Sequence, residues 1–188
     1  MARNDERRRV LADAGLSVLA REGARGLTHR AVDDASGSPR GTASNYFRSR
    51  EDLLRALVDR IGERLAPDPA VAAELSALEP DSTVFAAYIR DIVRRLTDAR
   101  EVTLALFELR LEAARRPEIA ELIGGWQRAG FAGDVAFNAA AGLPGGAFDI
   151  ALFHYAIDGL MLDRLTTPID PETTAEAIVD ALVQRILR

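Results

Sequence analysis

The run Arg40-Gly41-Thr42-Ala43-Ser44-Asn45-Tyr46 gathers a guanidinium, two hydroxyls, a carboxamide and a phenol into seven residues, with no large aliphatic side chain. A helix so poor in core residues, carrying a glycine that costs about 1 kcal/mol relative to alanine, exists for its outer face. The chemistry that suits such a face is the reading of duplex DNA. Arg30 or Arg40 can grip guanine O6 and N7 in bidentate fashion, Thr42 offers a methyl to thymine, and Gly41 lets backbone approach closely. Asn45 reads equally as a cap or surface residue, and His29 as a tolerated residue in a first helical turn.

Charge points the same way. All 24 basic residues are arginine, against 29 acids, for a net charge of −5. Residues 1–50 carry 10 Arg against 6 acids (+4), and residues 51–188 carry 14 Arg against 23 acids (−9). A basic head on an acidic body is the pattern of a nucleic-acid-facing module. Arg7, Arg8 and Arg9, with Arg3 before them, lie at the start of the first helix, where cations oppose the helix dipole; a polyanionic partner is one reason to keep them there, a solvated arginine face the other.

Other chemistries find no footing. Without cysteine there is no disulfide scaffold, zinc-thiolate cluster or thiol nucleophile, and two histidines are too few for most metal sites. Gly-x-Ser-x-Gly and phosphate-cradling glycine loops are missing, so no catalytic residue, cofactor or metal is expected. His154 and Asp158, at i and i+4, suit a core or interface hydrogen bond better than a metal. The first residues lack an apolar signal segment and no apolar run has the length of a bilayer span, so a cytoplasmic protein with no membrane partner is expected.

The elements that must position these groups are helical throughout, with apolar residues spaced three and four apart. A first helix covers about residues 4–22 and stops at Gly23. Thr28 caps a short second helix, with Leu27 and Val32 as its hydrophobic staple. Ser38, with Pro39 at the first position, is expected to cap the third, and the turn at Ser36-Gly37 makes the pair a helix-turn-helix. Ser49 caps a fourth helix with the stripe Leu54, Leu57, Val58, Ile61 and Leu65, closed by Pro67 and Pro69. Further helices are expected near 70–78, 83–99, 101–115, 117–141, 147–166 and 171–187. Gly124-Gly125 falls inside one of them, as a kink, a portal or a loop.

From Leu27 through Arg40-Gly41-Thr42-Ala43-Ser44-Asn45-Tyr46-Phe47 to Leu54 the chain resembles the DNA-binding segment of the TetR family of transcriptional regulators. The resemblance implies an all-α homodimer: a three-helix DNA-binding domain (residues 1–48) and a helical domain (49–188) that binds an effector and dimerises through the last two helices. By position in the family pattern, Thr28 contacts a phosphate, Arg30, Arg40, Thr42 and Ser44 face the groove, and Tyr46 and Arg50 anchor on the backbone. Ser44 and Ala43 stand where many members have an aromatic and a large aliphatic, so the reading helix is unusually small.

In the larger domain, helix 101–115 is apolar almost all round and is expected to be central. Glu108 interrupts it and needs a partner, either Arg90 or Arg94 or a ligand's cation or hydroxyl. Candidate walls of a ligand pocket are Phe85, Tyr88, Ile89, Ile92, Leu104, Phe107, Leu111, Trp126, Phe131, Phe153 and Ile157, with Phe137 nearby; any of these serves equally as core. Helix 147–166 has two apolar faces, and the one with Leu152, Tyr155, Gly159 and Leu162 is free for a partner, joined by Ile178, Leu182 and Ile186 of the last helix. The expected function is a repressor released from a palindromic operator when an unidentified small molecule binds. An effector-independent or activating regulator is the alternative, and a small helical enzyme or adaptor a distant one.

Overall fold

A computed structural model describes the backbone of residues 2–187 and the side chains of residues 4–187; the Arg3 side chain lies outside the described residues. Ten helices occur among the described residues, and no strand. They are α1 (Ala2–Gly26), α2 (His29–Ala35), α3 (Thr42–Tyr46), α4 (Arg50–Arg64), α5 (Pro69–Ser76), α6 (Ser82–Asp98), α7 (Arg100–Ala113), α8 (Pro117–Ala140), α9 (Ala147–Leu165) and α10 (Ala175–Ile186). The chain forms two compact units, one of residues up to Ala66 with Ala99–Trp126, the other of Pro67–Asp98 with the residues from Gln127 onward. None of the helices is long and apolar enough to cross a membrane.

In the first unit α1 packs on α2, α4 and α7. Leu11, Leu16, Leu19, Leu27, Phe47, Leu53, Leu57, Ile61, Leu109, Ile119 and Ile123 are all but sealed from solvent. The burial of each such side chain is worth about 2 kcal/mol, which is why the small α2 and α3 can stay in place on a larger scaffold. Helix α1 breaks its geometry at Gly23, whose φ of 69° is open to glycine and strained for other residues. Thr28 and Ser49 cap α2 and α4 as their sequences demand, accepting from Ala31 N at 3.1 Å and Asp52 N at 3.0 Å.

In the second unit α6 packs against α5, α9 and α10, with the Phe85 and Phe153 rings 4.9 Å apart. Buried Asn138 donates through Nδ2 to the carbonyls of Leu143 and Gly145, at 3.2 and 3.0 Å, and so pins the loop between α8 and α9.

Three local expectations are corrected. Helix α3 begins at Thr42, not at Pro39, because Pro39–Gly41 form a turn in which Thr42 N donates to Pro39 O. Helix α10 begins at Ala175, because Thr174, and not the region of Pro171, supplies the capping oxygen to Ala177 N. Helix α7 is less enclosed than its composition implies: Val102, Thr103, Ala105, Leu106 and Leu109 are buried, but Leu111 is 55% exposed. Helix α8 runs unbroken through Gly124-Gly125.

Candidate nucleic-acid interface

Thr28 opens α2, which carries Arg30 on its exposed side. Arg30 meets Asp34 only at 3.8 Å, with both side chains well over half exposed, so water screens the pair and the guanidinium is available. Arg40 is exposed, and among the described residues it has no hydrogen-bond or ion-pair partner. Gly41 turns the chain into α3 with φ 87°, where a side chain would be strained.

On α3 the hydroxyls are half committed. Thr42 Oγ1 donates to Pro39 O at 2.5 Å and Ser44 Oγ donates to Gly41 O at 2.9 Å. With their protons spent inward, both oxygens can only accept from outside, which matches cytosine or adenine amino groups better than carbonyl edges. Asn45 is exposed beside them.

The support beneath this face was not visible in the spacing. Asp33, on α2 and 2% exposed, accepts from Gly41 N at 2.7 Å through Oδ2 and from Ala43 N at 2.6 Å through Oδ1. Its only sequence signal is an acid at a position of the α2 pattern that faces inward beside Val32. From α1, Arg7 Nη2 donates to Ser38 Oγ at 2.7 Å, and Arg8 Nη1 donates to Tyr46 O at 2.9 Å while its guanidinium stands 4.7 Å from the Phe47 ring centre. His29 Nε2 bonds Phe47 O at 2.8 Å, which makes it a brace and not a base reader. Asn4, Asp5, Arg8, Asn45, Tyr46 and Arg48 line a shallow cleft at the far end of α3. Arg48, exposed in that cleft, is a candidate phosphate contact that the motif reading passed over.

Arg50 stands apart from the other expected contacts. Its Nη1 and Nη2 donate to Leu27 O and Ala24 O at 2.7 and 2.8 Å, tying α4 to the end of α1. A second tie binds the same helices: Asp13 accepts from Arg60 Nε and Nη2 at 2.9 and 2.7 Å and from Arg64 Nη1 at 2.9 Å. Burial pushes the Asp13 carboxyl up, but the Arg60 and Arg64 hydrogen bonds and charges together outweigh it and hold it below its ordinary range. Arg9 joins this group through Glu63 at 3.3 Å.

Arg40, Gly41, Ser44 and Asn45 are thus exposed in and beside α3, with Thr42 half-buried among them, and Arg30 is exposed on α2, in a helix-turn-helix at the head of an all-helical chain. Residues 11–57 match the profile of bacterial regulatory proteins of the tetR family, and residues 80–188 match the tetracyclin repressor-like C-terminal domain. The chain belongs to the TetR family. It is a DNA-binding transcriptional regulator, as TetR-family proteins are, and not an enzyme. It is 33% identical over 117 residues to the HTH-type transcriptional regulator BetI of Rhizobium meliloti (strain 1021), a match spanning 62% of this chain and 57% of that protein. Among solved structures it resembles a TetR-family member from Streptomyces coelicolor A3, at 26% identity and TM-score 0.73 over 97% of this chain and 99% of that one. It also resembles the multidrug binding protein EbrR, solved with imidazole, at 27% identity and TM-score 0.67 over 97% and 95% of the two chains. EbrR has likewise been solved with malachite green, that structure being 26% identical to this chain at TM-score 0.68, with 97% and 99% of the chains covered.

The residues expected to wall a TetR-type ligand pocket fall into both units. In the second, Phe85, Ile89, Phe153 and Ile157 are buried on α6 and α9, Ile92 is half-buried, Tyr88 lies edge-on to Phe137 at 5.2 Å and Phe131 edge-on to His154 at 5.6 Å. In the first, Leu104, Phe107 and Glu108 are half-buried, and Trp126 places its Nε1 3.2 Å from where a Cβ on Gly62 would stand. The ion pair expected for Glu108 is corrected: Arg90 pairs with Asp180, and Arg94 with Asp91 and Asp98, while the Glu108 carboxylate lies against Gly23. His154 Nε2 bonds Asp134 Oδ2 at 3.0 Å, a partner on another helix.

Along α9 the second apolar face is open. Tyr155 is 70% and Leu162 50% exposed, Gly159 faces empty space, and Leu152, Ile178, Leu182 and Ile186 are half-buried. Phe148, 74% exposed and seven residues before Tyr155, extends the stripe; the repeat 148, 155, 162 was the signal for it.

Proposed function

We propose that this TetR-family chain is a repressor that binds a palindromic operator as a homodimer and leaves it when a small molecule occupies the domain formed by residues 49–188. The observation that carries this reading is the exposed start of α3, where Arg40, unpartnered among the described residues, and the acceptor hydroxyls Thr42 and Ser44 stand together. Arg30 and Asn45 add donors on that surface, while Thr28 and Tyr46 lie at its edges, placed to hold phosphates, and Arg50, committed to the carbonyls of Leu27 and Ala24, braces the module behind them.

The open stripe of Phe148, Tyr155 and Leu162 supports an isologous interface, since a monomer gains nothing from leaving such rings in water. Leu152, Gly159, Ile178, Leu182 and Ile186 complete it as an antiparallel four-helix bundle. EbrR's complexes with imidazole and malachite green support a small-molecule ligand, and the aromatic side chains of α6, α8 and α9 support an aromatic one. The ligand acts by favouring the state in which the two heads are spaced wrongly for adjacent half-sites, with a coupling of roughly 1–3 kcal/mol. A protein of this kind works in the cytoplasm, beside the DNA.

The test is a gel shift on the DNA upstream of the protein's own gene, titrated with salt and then with a panel of aromatic cations and neutral aromatics. Specific binding abolished by at least one compound is the expected result. Binding that no compound alters indicates an effector-independent regulator, and absence of sequence-specific binding overturns the reading.

A further inference from the structure

Helix α3 has almost no apolar support of its own, since of Thr42–Tyr46 only Ala43 is buried. Arg8 and His29 brace its far end, and its start is held by one side chain of the neighbouring helix. We propose that Asp33 is the positioning residue of DNA recognition, its buried carboxylate setting the height and rotation of α3 on α2 and thereby the reach of Arg40, Thr42 and Ser44. This rests on the assignment of α3 as the reading helix.

Two features separate this grip from an ordinary helix cap. Each carboxylate oxygen takes a different amide, Oδ2 from Gly41 and Oδ1 from Ala43, so rotation as well as distance is constrained. The same residue's carbonyl accepts from Ser36 Oγ at 3.1 Å, Ser36 Oγ lies 2.6 Å from Ser38 Oγ, and Ser38 Oγ accepts from Arg7 of α1. A continuous polar chain therefore runs from α1 through the turn to the start of the reading helix, where a larger reading helix would use apolar packing. Because Gly41 N and Ala43 N donate to Asp33 and Thr42 N donates to Pro39 O, these three amides are closed to a DNA phosphate. An anion already sits behind them. Phosphate holding at this end passes to side chains, so errors in α3 placement fall on base reading and spare the general attraction to DNA.

The test uses the full chain. A duplex is selected by the wild-type protein from a random pool, and its affinity is compared with that of a random-sequence duplex of equal length at one salt concentration. The wild type is measured beside Asp33→Ala and Asp33→Asn. Alanine leaves two buried amides unpaired; asparagine can accept from one and turns an NH2 against the other. The selected-to-random ratio should fall at least ~10-fold for Asp33→Ala and by an intermediate amount for Asp33→Asn, while random-duplex affinity stays within about threefold. A purely structural role lowers the folded fraction and both affinities together, leaving the ratio unchanged, and that result in folded variants overturns the proposal. Amide exchange on the free wild type provides an arm that needs no variant. Gly41 and Ala43 should be protected like the interior of α2, and exchange as fast as at the exposed loop residue Glu79 overturns the grip. A wild type that selects no duplex overturns the reading-helix assignment and the proposal with it, whereas protected amides beside an unchanged ratio overturn only the proposal.

Discussion

Asp13→Asn removes the anion at the centre of the tie between α1 and α4, and its consequences can be worked out from the structure. The carboxylate accepts three charge-assisted hydrogen bonds, two from Arg60 in fork geometry and one from Arg64. Bonds of this type contribute about 1.5–3 kcal/mol each when enclosed. Asp13 is 33% exposed and Arg64 43%, so water takes up part of what is lost, and Arg60 keeps Glu63 at 2.7 Å. A net loss of about 2 kcal/mol follows. The carboxyl's pKa lies below its ordinary value of 3.8 in the folded chain, so its contribution is complete above that value and is lost as pH falls through the depressed one. The gap between wild type and variant should be widest at pH 7 and should close below about pH 3.8, where the wild type alone gives up the interaction. The chain's one tryptophan, Trp126, lies in the same unit and reports its unfolding by fluorescence. In urea, with a slope near 2 kcal/mol per molar, the midpoint should drop by about 1 M at pH 7. Equal midpoints at pH 7, or a gap as wide at pH 3 as at pH 7, refute the reasoning.

Three further outcomes are expected. Arg40→Ala should lower affinity for a selected duplex by about 1–3 kcal/mol and leave random-duplex affinity nearly unchanged, as a filter-binding comparison at fixed salt would show. Asn138→Ala should lower stability by about 2 kcal/mol in a thermal melt, because the loop carbonyls of Leu143 and Gly145 lose their buried donor. Phe148→Asp combined with Tyr155→Asp should yield a monomer in light scattering at micromolar concentration, with far-UV helicity retained, since both side chains are largely exposed in the single chain.

Local signals carried much of this fold. Thr28 and Ser49 cap their helices because the capping oxygen and its amide are three residues apart, a relation that spacing alone reveals. The start of α3 escaped for the opposite reason: Pro39 is a good first residue by local rules, but the decisive acceptor is Asp33, on another helix and eight to ten residues earlier. Glu108 was assigned a partner by charge complementarity along the chain, whereas Arg94 is taken by Asp91 one turn away and Arg90 by Asp180, far along the sequence. Tyr155 and Leu162 were legible as an unpaired stripe, because a helix has one inward face and a second apolar one demands a partner.

The basic head looks different once its arginines are followed individually. Arg7 and Arg50 spend their guanidinium groups on Ser38 and on the carbonyls of Ala24 and Leu27, and Arg9 on Glu63, so they hold the module together. Arg40 and Arg48 are exposed and face no such partner among the described residues, and Arg30 only a screened one. The +4 of the first fifty residues therefore overstates the charge offered to DNA, and salt dependence is the measurement that tells the two groups apart. Each phosphate contact contributes about 0.9 to the slope of log K against log salt. Arg48→Ala should flatten that slope by nearly one such unit and leave the folded state unchanged. Arg50→Ala should lower the urea midpoint, because the carbonyls of Ala24 and Leu27 lose their donor, and should leave the slope as it was. If Arg50→Ala instead flattens the slope with stability intact, the side chain turns outward on DNA and its bonds to Ala24 and Leu27 belong to the free protein alone.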